Sequence, residues 1–189
     1  VHAVTADFSK PFIVPAMTGT GLRVGFFPGS TIGNFTHEEV IEFLKGTKKV
    51  VGPMGAMLIG VDLKKDVRIL RAAYNDSQGV TAAFNMNLLA RLNRDLGTTF
   101  NLTQFSHDAV YDAELGRVEM HLVSHTEQTV TLGRDVILFR KGETIHTENS
   151  YKYDQNEFKA LSARAGYKTL MAWTDPNEVF GIFFLQAEA

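Results

Sequence analysis

LRVGFFPGSTIGNFTHEEVIEFLKGTKKVVGPMGAMLIGVD, residues 22–62, is the stretch that decides the fold class. Leu22 to Phe27 is a short, mostly apolar run that reads as a buried strand and leads directly into the Pro- and Gly-broken turn PGSTIGN. Thr36 stands where a helix N-cap belongs, and Glu39, three residues on, completes a capping box. A helix is therefore predicted over residues 37–44, with Val40, Ile41, Phe43 and Leu44 on its apolar face. Residues 54–61 form another continuous apolar run, closed by Asp62. Strand, helix and strand with unbroken apolar runs predict parallel strands covered on both faces, an α/β sheet.

Upstream, residues 1–6 (VHAVTA) read as a further short strand ending in Asp7-Phe8. In a parallel sheet, ligands sit beyond the carboxyl ends of the strands, which points to Asp7-Phe8, residues 28–34 and Asp62. Near residue 64 the pattern changes. Residues 66–74 and 80–96 are predicted helices, the second with Phe84, Leu88, Leu89 and Leu92 along one face. Residues 117–123 and 129–132 alternate and are predicted to form a hairpin around SHTEQ, with strands at 136–139 and 144–148 beside them. Residues 64–152 thus read as an α+β unit inserted into a parallel-sheet domain that comprises residues 1–63 and resumes at 153–189. The closing segment is predicted as a helix over 156–165 and strands over 167–174 and 179–185. These two strands would form an antiparallel hairpin at a sheet edge, turning at Asp175-Pro176-Asn177.

The totals fit one globular domain with a substantial insertion: 189 residues, 44% hydrophobic, 21% charged, with 14 Phe to fill a core. A net charge of −2 gives no compositional reason to expect nucleic acid or an anionic membrane as partner. Without cysteine there is neither a disulfide nor a thiolate metal site. No apolar run approaches the roughly 20 residues that span a bilayer, and the first residues lack the basic segment of a signal peptide.

Chemistry is most concentrated in GETIHTENSYKY, residues 142–153. Its alternation suits a strand with one wet face, and the period of two puts Glu148 and Ser150 on the same side, about 7 Å apart at their backbones. A carboxylate beside a hydroxyl can hold one small polar ligand, and the same spacing also fits a solvated strand end. Asp154 with Glu157 reads as the cap of the helix that follows. In PGSTIGN, Gly29 and Gly33 allow close backbone approach and Asn34 offers donor and acceptor, or the segment is simply a strand-to-helix turn. YND at 74–76 precedes Gly79 and can be a plain helix end. Nucleophile elbow, P-loop and HExxH are all absent from the sequence, and His121 and His125, four apart, fall in a predicted strand and turn, so no metal is expected. By elimination the polar residues suit holding a small zwitterion better than cleaving one.

FFPGSTIGNF, LIGVDLKKD, AYND-x-x-GVTAAFN-x-N, RVEMHL and GETIHTENSYKY, taken in order, resemble the histidine-specific, S-adenosylmethionine-dependent methyltransferases of ergothioneine biosynthesis. The resemblance implies a Rossmann-like class I methyltransferase sheet with an inserted substrate-binding domain. It also implies a cytoplasmic enzyme, monomeric at full length and without a metal, that methylates the α-amino nitrogen of L-histidine three times to give hercynine. Carried over by motif, Asn34 would hydrogen-bond the substrate amine, with Gly29 and Thr31 beside it. Tyr74 would reach the carboxylate, Glu148 and Ser150 would read the imidazole nitrogens, and Met120 would pack nearby. Asp7 and Phe8 would contact the adenine end of S-adenosylmethionine.

The same resemblance places the family's glycine-rich cofactor loop, and the acidic residue that holds the ribose, ahead of Val1; no G-x-G precedes Asp7. The expectation is therefore a fragment lacking the first two strands of the sheet, with weak or no S-adenosylmethionine binding of its own and bare strand edges that favour self-association. A non-catalytic amino-acid-binding module that retains the histidine pocket is the alternative reading. A relative acting on another amino acid is a third, which Glu148 and Met120 disfavour.

Overall fold

The computed structural model describes residues 1–10, 14 and 21–188. In chain order the elements begin with strand β1 (Val24–Phe27), a 3-10 turn (Thr31–Asn34), helix α1 (His37–Val51), strand β2 (Ala56–Asp62), helix α2 (Val67–Tyr74) and helix α3 (Val80–Leu96). Strands β3 (Phe105–Asp112), β4 (Arg117–Ser124), β5 (Gln128–Leu132), β6 (Asp135–Phe139) and β7 (Thr144–Tyr151) follow. Helix α4 (Gln155–Arg164) and strands β8 (Tyr167–Thr174) and β9 (Phe180–Ala187) complete the chain. It divides into two compact units, Val1–Lys64 with Tyr151–Ala189, and Lys65–Ser150.

The first unit is built on a four-stranded sheet in the order β1-β2-β9-β8. β1 and β2 are parallel, Val24 opposite Ala56 and Phe27 opposite Ile59, as the strand–helix–strand pattern requires. Thr36 and Glu39 close the expected capping box, and α1 runs on past the predicted residue 44 to Val51, where Gly52 (φ 78°) ends it. α4 starts on a second capping box, Asp154 with Glu157. The hairpin β8–β9 lies at the sheet edge as predicted, and its turn is held by Asp175, whose carboxylate accepts the amides of Asn177, Val179 and Phe180. Val40, Ile41 and Leu44 from α1, Phe158 and Leu161 from α4, and Met57, Ile59, Phe183 and Leu185 from the sheet form one buried core.

That core occupies one face of the sheet. The strand register carries a second apolar row, Phe26, Leu58, Phe184 and Met171, on the other face. Phe26 is 70% exposed there, so the expectation of cover on both faces is met on one only among the described residues. The strand expected at residues 1–6 is not formed either. Val1 to Asp7 has no ladder partner among the described residues, and Val1 and Val4 are exposed. An alternating apolar stretch becomes a strand only where a neighbour accepts its backbone hydrogen bonds.

In the second unit β4 is the central strand of the sheet β3-β4-β7, and β5 and β6 form a separate ribbon. The predicted 117–132 hairpin is thus replaced by two others. β3 and β4 pair from Phe105 with Ser124 to Asp112 with Arg117. Their turn is set by Asp112, whose Oδ1 accepts the amides of Glu114 and Leu115, and by Gly116 at φ 66°. At the last residue of β4, the Ser124 amide donates to the Glu143 carbonyl, just ahead of β7. Leu89, Phe100, Phe105, Leu122, Val130 and Phe139 make one core of the unit, and Leu70, Ala109, Val118 and Met120 a second. Among the described residues no helix is long and apolar enough to cross a membrane.

Candidate functional site

Of the residues singled out in the sequence, Tyr74, Met120, Glu148 and Ser150 lie in the second unit, and Asp7, Phe8, Gly29, Thr31 and Asn34 in the first. Tyr74 is the last residue of α2. Its hydroxyl is 2.8 Å from Ser150 Oγ, and Ser150 is itself buried. Two residues 76 positions apart in the chain therefore share one hydrogen bond, which spacing alone could not show. Glu148 is half-buried, two residues before Ser150 on β7. Burial alternates from Thr144 to Thr147 and then evens out, Thr147, Glu148 and Asn149 being half-buried and Ser150 and Tyr151 buried, while the strand itself runs on to Tyr151. Asn149, between them, has a side-chain oxygen that is buried and meets no hydrogen-bond donor among the described residues.

Tyr74 is fixed from its backbone as well. Asn85 Nδ2 donates to His107 Nδ1 at 3.0 Å, and His107 Nε2 donates to the Tyr74 carbonyl at 2.8 Å. That pattern assigns the proton of neutral His107 to Nε2. Asn75 clamps Ala109 on β3, its amide donating to the carbonyl and its oxygen accepting the N–H. Asp76 accepts the amides of Val80 and Thr81 at the start of α3. YND is thus a helix end in which all three side chains have work: a phenol aimed at Ser150, a strand clamp and a cap. Sequence reasoning missed Asn85 and His107 as supports; Asn85 stood inside the quoted GVTAAFN segment, and only the fold reveals its partner.

The amides bonded to Asp76 hold its carboxyl down to about 2. A folded-state value below the unfolded one means that this cap contributes stability above about pH 4 and loses it as the pH falls towards about 2. Asp76→Ala is therefore expected to show a smaller drop in thermal midpoint than the parent between about pH 6 and about pH 2.5. Equal drops in a paired calorimetric scan would refute the assignment.

Met120 is buried against Leu70, Ala109 and Val118, with Tyr74 packed on the same cluster. Its carbonyl accepts Thr147 Oγ1 at 3.0 Å. It is a core residue that backs Tyr74, and its spacing in the sequence allowed that reading.

In the first unit the turn after β1 takes its left-handed step at a serine. The left-handed residue is Ser30 (φ 54°), not Gly29 or Gly33. Its hydroxyl accepts the Asp62 amide at 2.8 Å, which ties the turn to the end of β2. Asp62 in turn receives Lys152 Nζ at 2.8 Å, and Lys152 is only 2% exposed. Gly60 lets the turn close in: a Cβ there would lie 2.0 Å from the Pro28 carbonyl oxygen. Asn34 ends the 3-10 turn in an exposed position, one residue past buried Gly33. Phe8 stands edge-on to Phe27, Phe35 and Phe43 at centroid distances of 5.7, 6.4 and 6.3 Å. Asp7 accepts the amide and hydroxyl of Ser9 and pairs with Lys10 at 3.1 Å, so its carboxyl sits below the ordinary range.

A profile of the S-adenosylmethionine-dependent, histidine-specific methyltransferases matches residues 1–187. The chain belongs to that family. It is 39% identical over 184 residues to the histidine N-alpha-methyltransferase of Mycolicibacterium smegmatis, covering 96% of this chain and 57% of the relative. It is 36% identical over 160 residues to ergothioneine biosynthesis protein 1 of Neurospora crassa, covering 83% of this chain and 18% of that one. The fold is shared with a crystal structure of an S-adenosylmethionine-dependent methyltransferase from Clostridium acetobutylicum, at a TM-score of 0.51 and 8% identity, over 98% of this chain and 64% of the other. The fold is thus the Rossmann-like methyltransferase sheet expected from the motifs. This family member spans 57% of the length of the Mycolicibacterium relative.

The residues present fit the adenine end of S-adenosylmethionine. Phe8 keeps 46% of its surface exposed, enough for a ring to lie on. A carboxylate has about four acceptor positions, and the donors to Asp7 are Ser9 and Lys10, both on its own exposed turn.

Proposed function

We propose that the protein is a methyltransferase that carries methyl groups from S-adenosylmethionine to the α-amino nitrogen of L-histidine, giving hercynine. The observation that carries this reading is the hydrogen-bonded pair Tyr74–Ser150, with Glu148 two residues away, in a chain of the histidine-specific family. A carboxylate that accepts an imidazole N–H makes a charge-assisted bond, roughly twice as strong as a neutral one. The Ser150 hydroxyl both donates and accepts, so it can meet the second ring nitrogen in either state while Tyr74 supports it or turns to the substrate carboxylate. Asn34 steadies the amine through its amide oxygen, with Gly29 and Thr31 on the same turn. Asp7 and Phe8 hold the adenine end. Bound S-adenosylmethionine supplies a methyl group that is already strongly electrophilic. The protein's own share is alignment: a deprotonated amine held with its lone pair in line, in surroundings that accept the added bulk of successive methylations. None of these steps calls on a metal.

Glu148→Ala is expected to lower histidine affinity about ten- to a hundredfold, the range for losing a hydrogen bond to a charged group, and to erase preference for histidine over other amino acids. Calorimetry with histidine, with and without S-adenosylhomocysteine, followed by a competition assay among amino acids, measures both. Unchanged selectivity in the variant would remove the imidazole-reading role. Histidine binding without turnover in the presence of S-adenosylmethionine would replace the enzyme reading with that of a binding module.

A further inference from the structure

Arg117, Glu119 and His121 alternate along β4 and share its half-buried outer face, opposite Val118, Met120 and Leu122. Arg117 donates through Nε and Nη2 to Glu119 Oε1, at 2.9 and 2.5 Å. The guanidinium holds the Glu119 carboxyl below its usual range, so the group is a carboxylate at neutral pH. The other oxygen, Oε2, accepts His121 Nε2 at 3.0 Å. His146, on β7, stacks on His121 with ring centroids 4.7 Å apart and planes inclined by 24°. His121 Nδ1 is buried and has no hydrogen-bond partner among the described residues. One ligand atom from each of Glu119, His121 and His146 lies within 4.8 Å of the others.

We propose that Glu119, His121 and His146 form a binding site for a divalent cation of the zinc, cobalt and nickel class. Two imidazoles and a carboxylate are a donor set these ions favour. Cation-to-ligand distances of about 2.0–2.2 Å place ligand atoms about 3–4 Å apart. The 4.8 Å spread closes to that range if the exposed His146 side chain rotates, exchanging its 3.2 Å hydrogen bond to the Glu148 carbonyl for the cation. The cation takes the place of the hydrogen between His121 Nε2 and Glu119 Oε2, and the neutral His121 ring then carries its proton on Nδ1. Arg117 supports the site from outside, since a ligating carboxylate is commonly held by a further hydrogen bond. No role in methyl transfer is assigned to these residues, and local spacing in the sequence did not reveal them, because His146 comes from a separate strand.

The test is a titration with Co2+ followed by visible absorption and calorimetry, then displacement by Zn2+. The parent chain is expected to take up Co2+ with a new visible band, and His146→Ala or Glu119→Gln to weaken uptake at least about tenfold. His125→Ala, a turn histidine bonded to Ser106, serves as control and should bind as the parent does. Because His146 is exposed, its variant should retain the parent's circular dichroism. NMR of the histidine ring protons with Zn2+ gives a second reading, with shifts expected at His121 and His146 alone. Equal Co2+ uptake by the parent and His146→Ala, or Zn2+ shifts at other histidines only, would overturn the proposal.

Discussion

Gly60→Ala is expected to destabilise the first unit by about 3 kcal/mol, at the upper end of what overpacking a core costs. The added Cβ would lie 2.0 Å from the Pro28 carbonyl oxygen and 2.8 Å from Phe180 Cζ. The phenyl ring can turn aside. The carbonyl is backbone at the exit of β1, so relief requires the 28–34 turn to move as a piece, and that turn bears Gly29, Thr31 and Asn34. Histidine affinity should therefore fall by more than the loss of folded protein explains. Gly46→Ala is the matched comparison: its Cβ meets nothing within 4 Å, and alanine in a helix interior is favoured over glycine by about 0.5–1 kcal/mol. Paired denaturant titrations should move the two midpoints in opposite directions. A Gly60→Ala midpoint at or above that of Gly46→Ala would rule out the close approach of turn and strand.

Local chemistry was legible in the sequence, and pairing across the chain was not. Both capping boxes, Thr36 with Glu39 and Asp154 with Glu157, appear as expected because each is decided within four residues. The parallel pair β1–β2 follows from continuous apolar runs separated by a helix. β3 was missed because its sequence, FSHDAVYD, mixes Asp and His into an alternation that only its place at an edge of the sheet β3-β4-β7 makes tolerable. The misassigned hairpin has a related cause. SHTEQ and the Asp112–Gly116 turn are both polar, and what separates them is the pair of amide bonds accepted by Asp112, with Gly116 at positive φ. For the candidate site, the ordered motifs brought Tyr74, Glu148 and Ser150 to notice, but the support of Tyr74 by Asn85 and His107 joins a helix to a strand 22 residues on. Nor does any periodicity tell that Ser30 rather than a glycine takes the left-handed position, since the hydrogen bond that stabilises it comes from Asp62.

Lys152→Met should destabilise the protein by about 3 kcal/mol, the lower end of the range for removing one partner of a buried ion pair. Lys152 is 2% exposed and the Asp62 side chain 21%, so the carboxylate deprived of its ammonium partner stays largely out of water. Methionine preserves much of the lysine stem's volume, so the loss reports charge rather than a cavity. The effect should reach the turn. The Asp62 backbone amide donates to Ser30 Oγ, and a strand end that shifts to rehydrate its carboxylate pulls on the residue whose left-handed backbone shapes residues 28–34. The double variant Lys152→Met/Asp62→Asn separates the two contributions, because a neutral amide at 62 costs less to leave unpaired than a carboxylate. It should recover at least about half of the stability lost by the single variant, a coupling typical of contacting charged residues. A single variant within about 0.5 kcal/mol of the parent, the margin for ordinary surface substitutions, would mean that Lys152 is not holding the end of β2. The Ser30 hydroxyl and the Gly60 approach would then be what ties the Asn34 turn to β2.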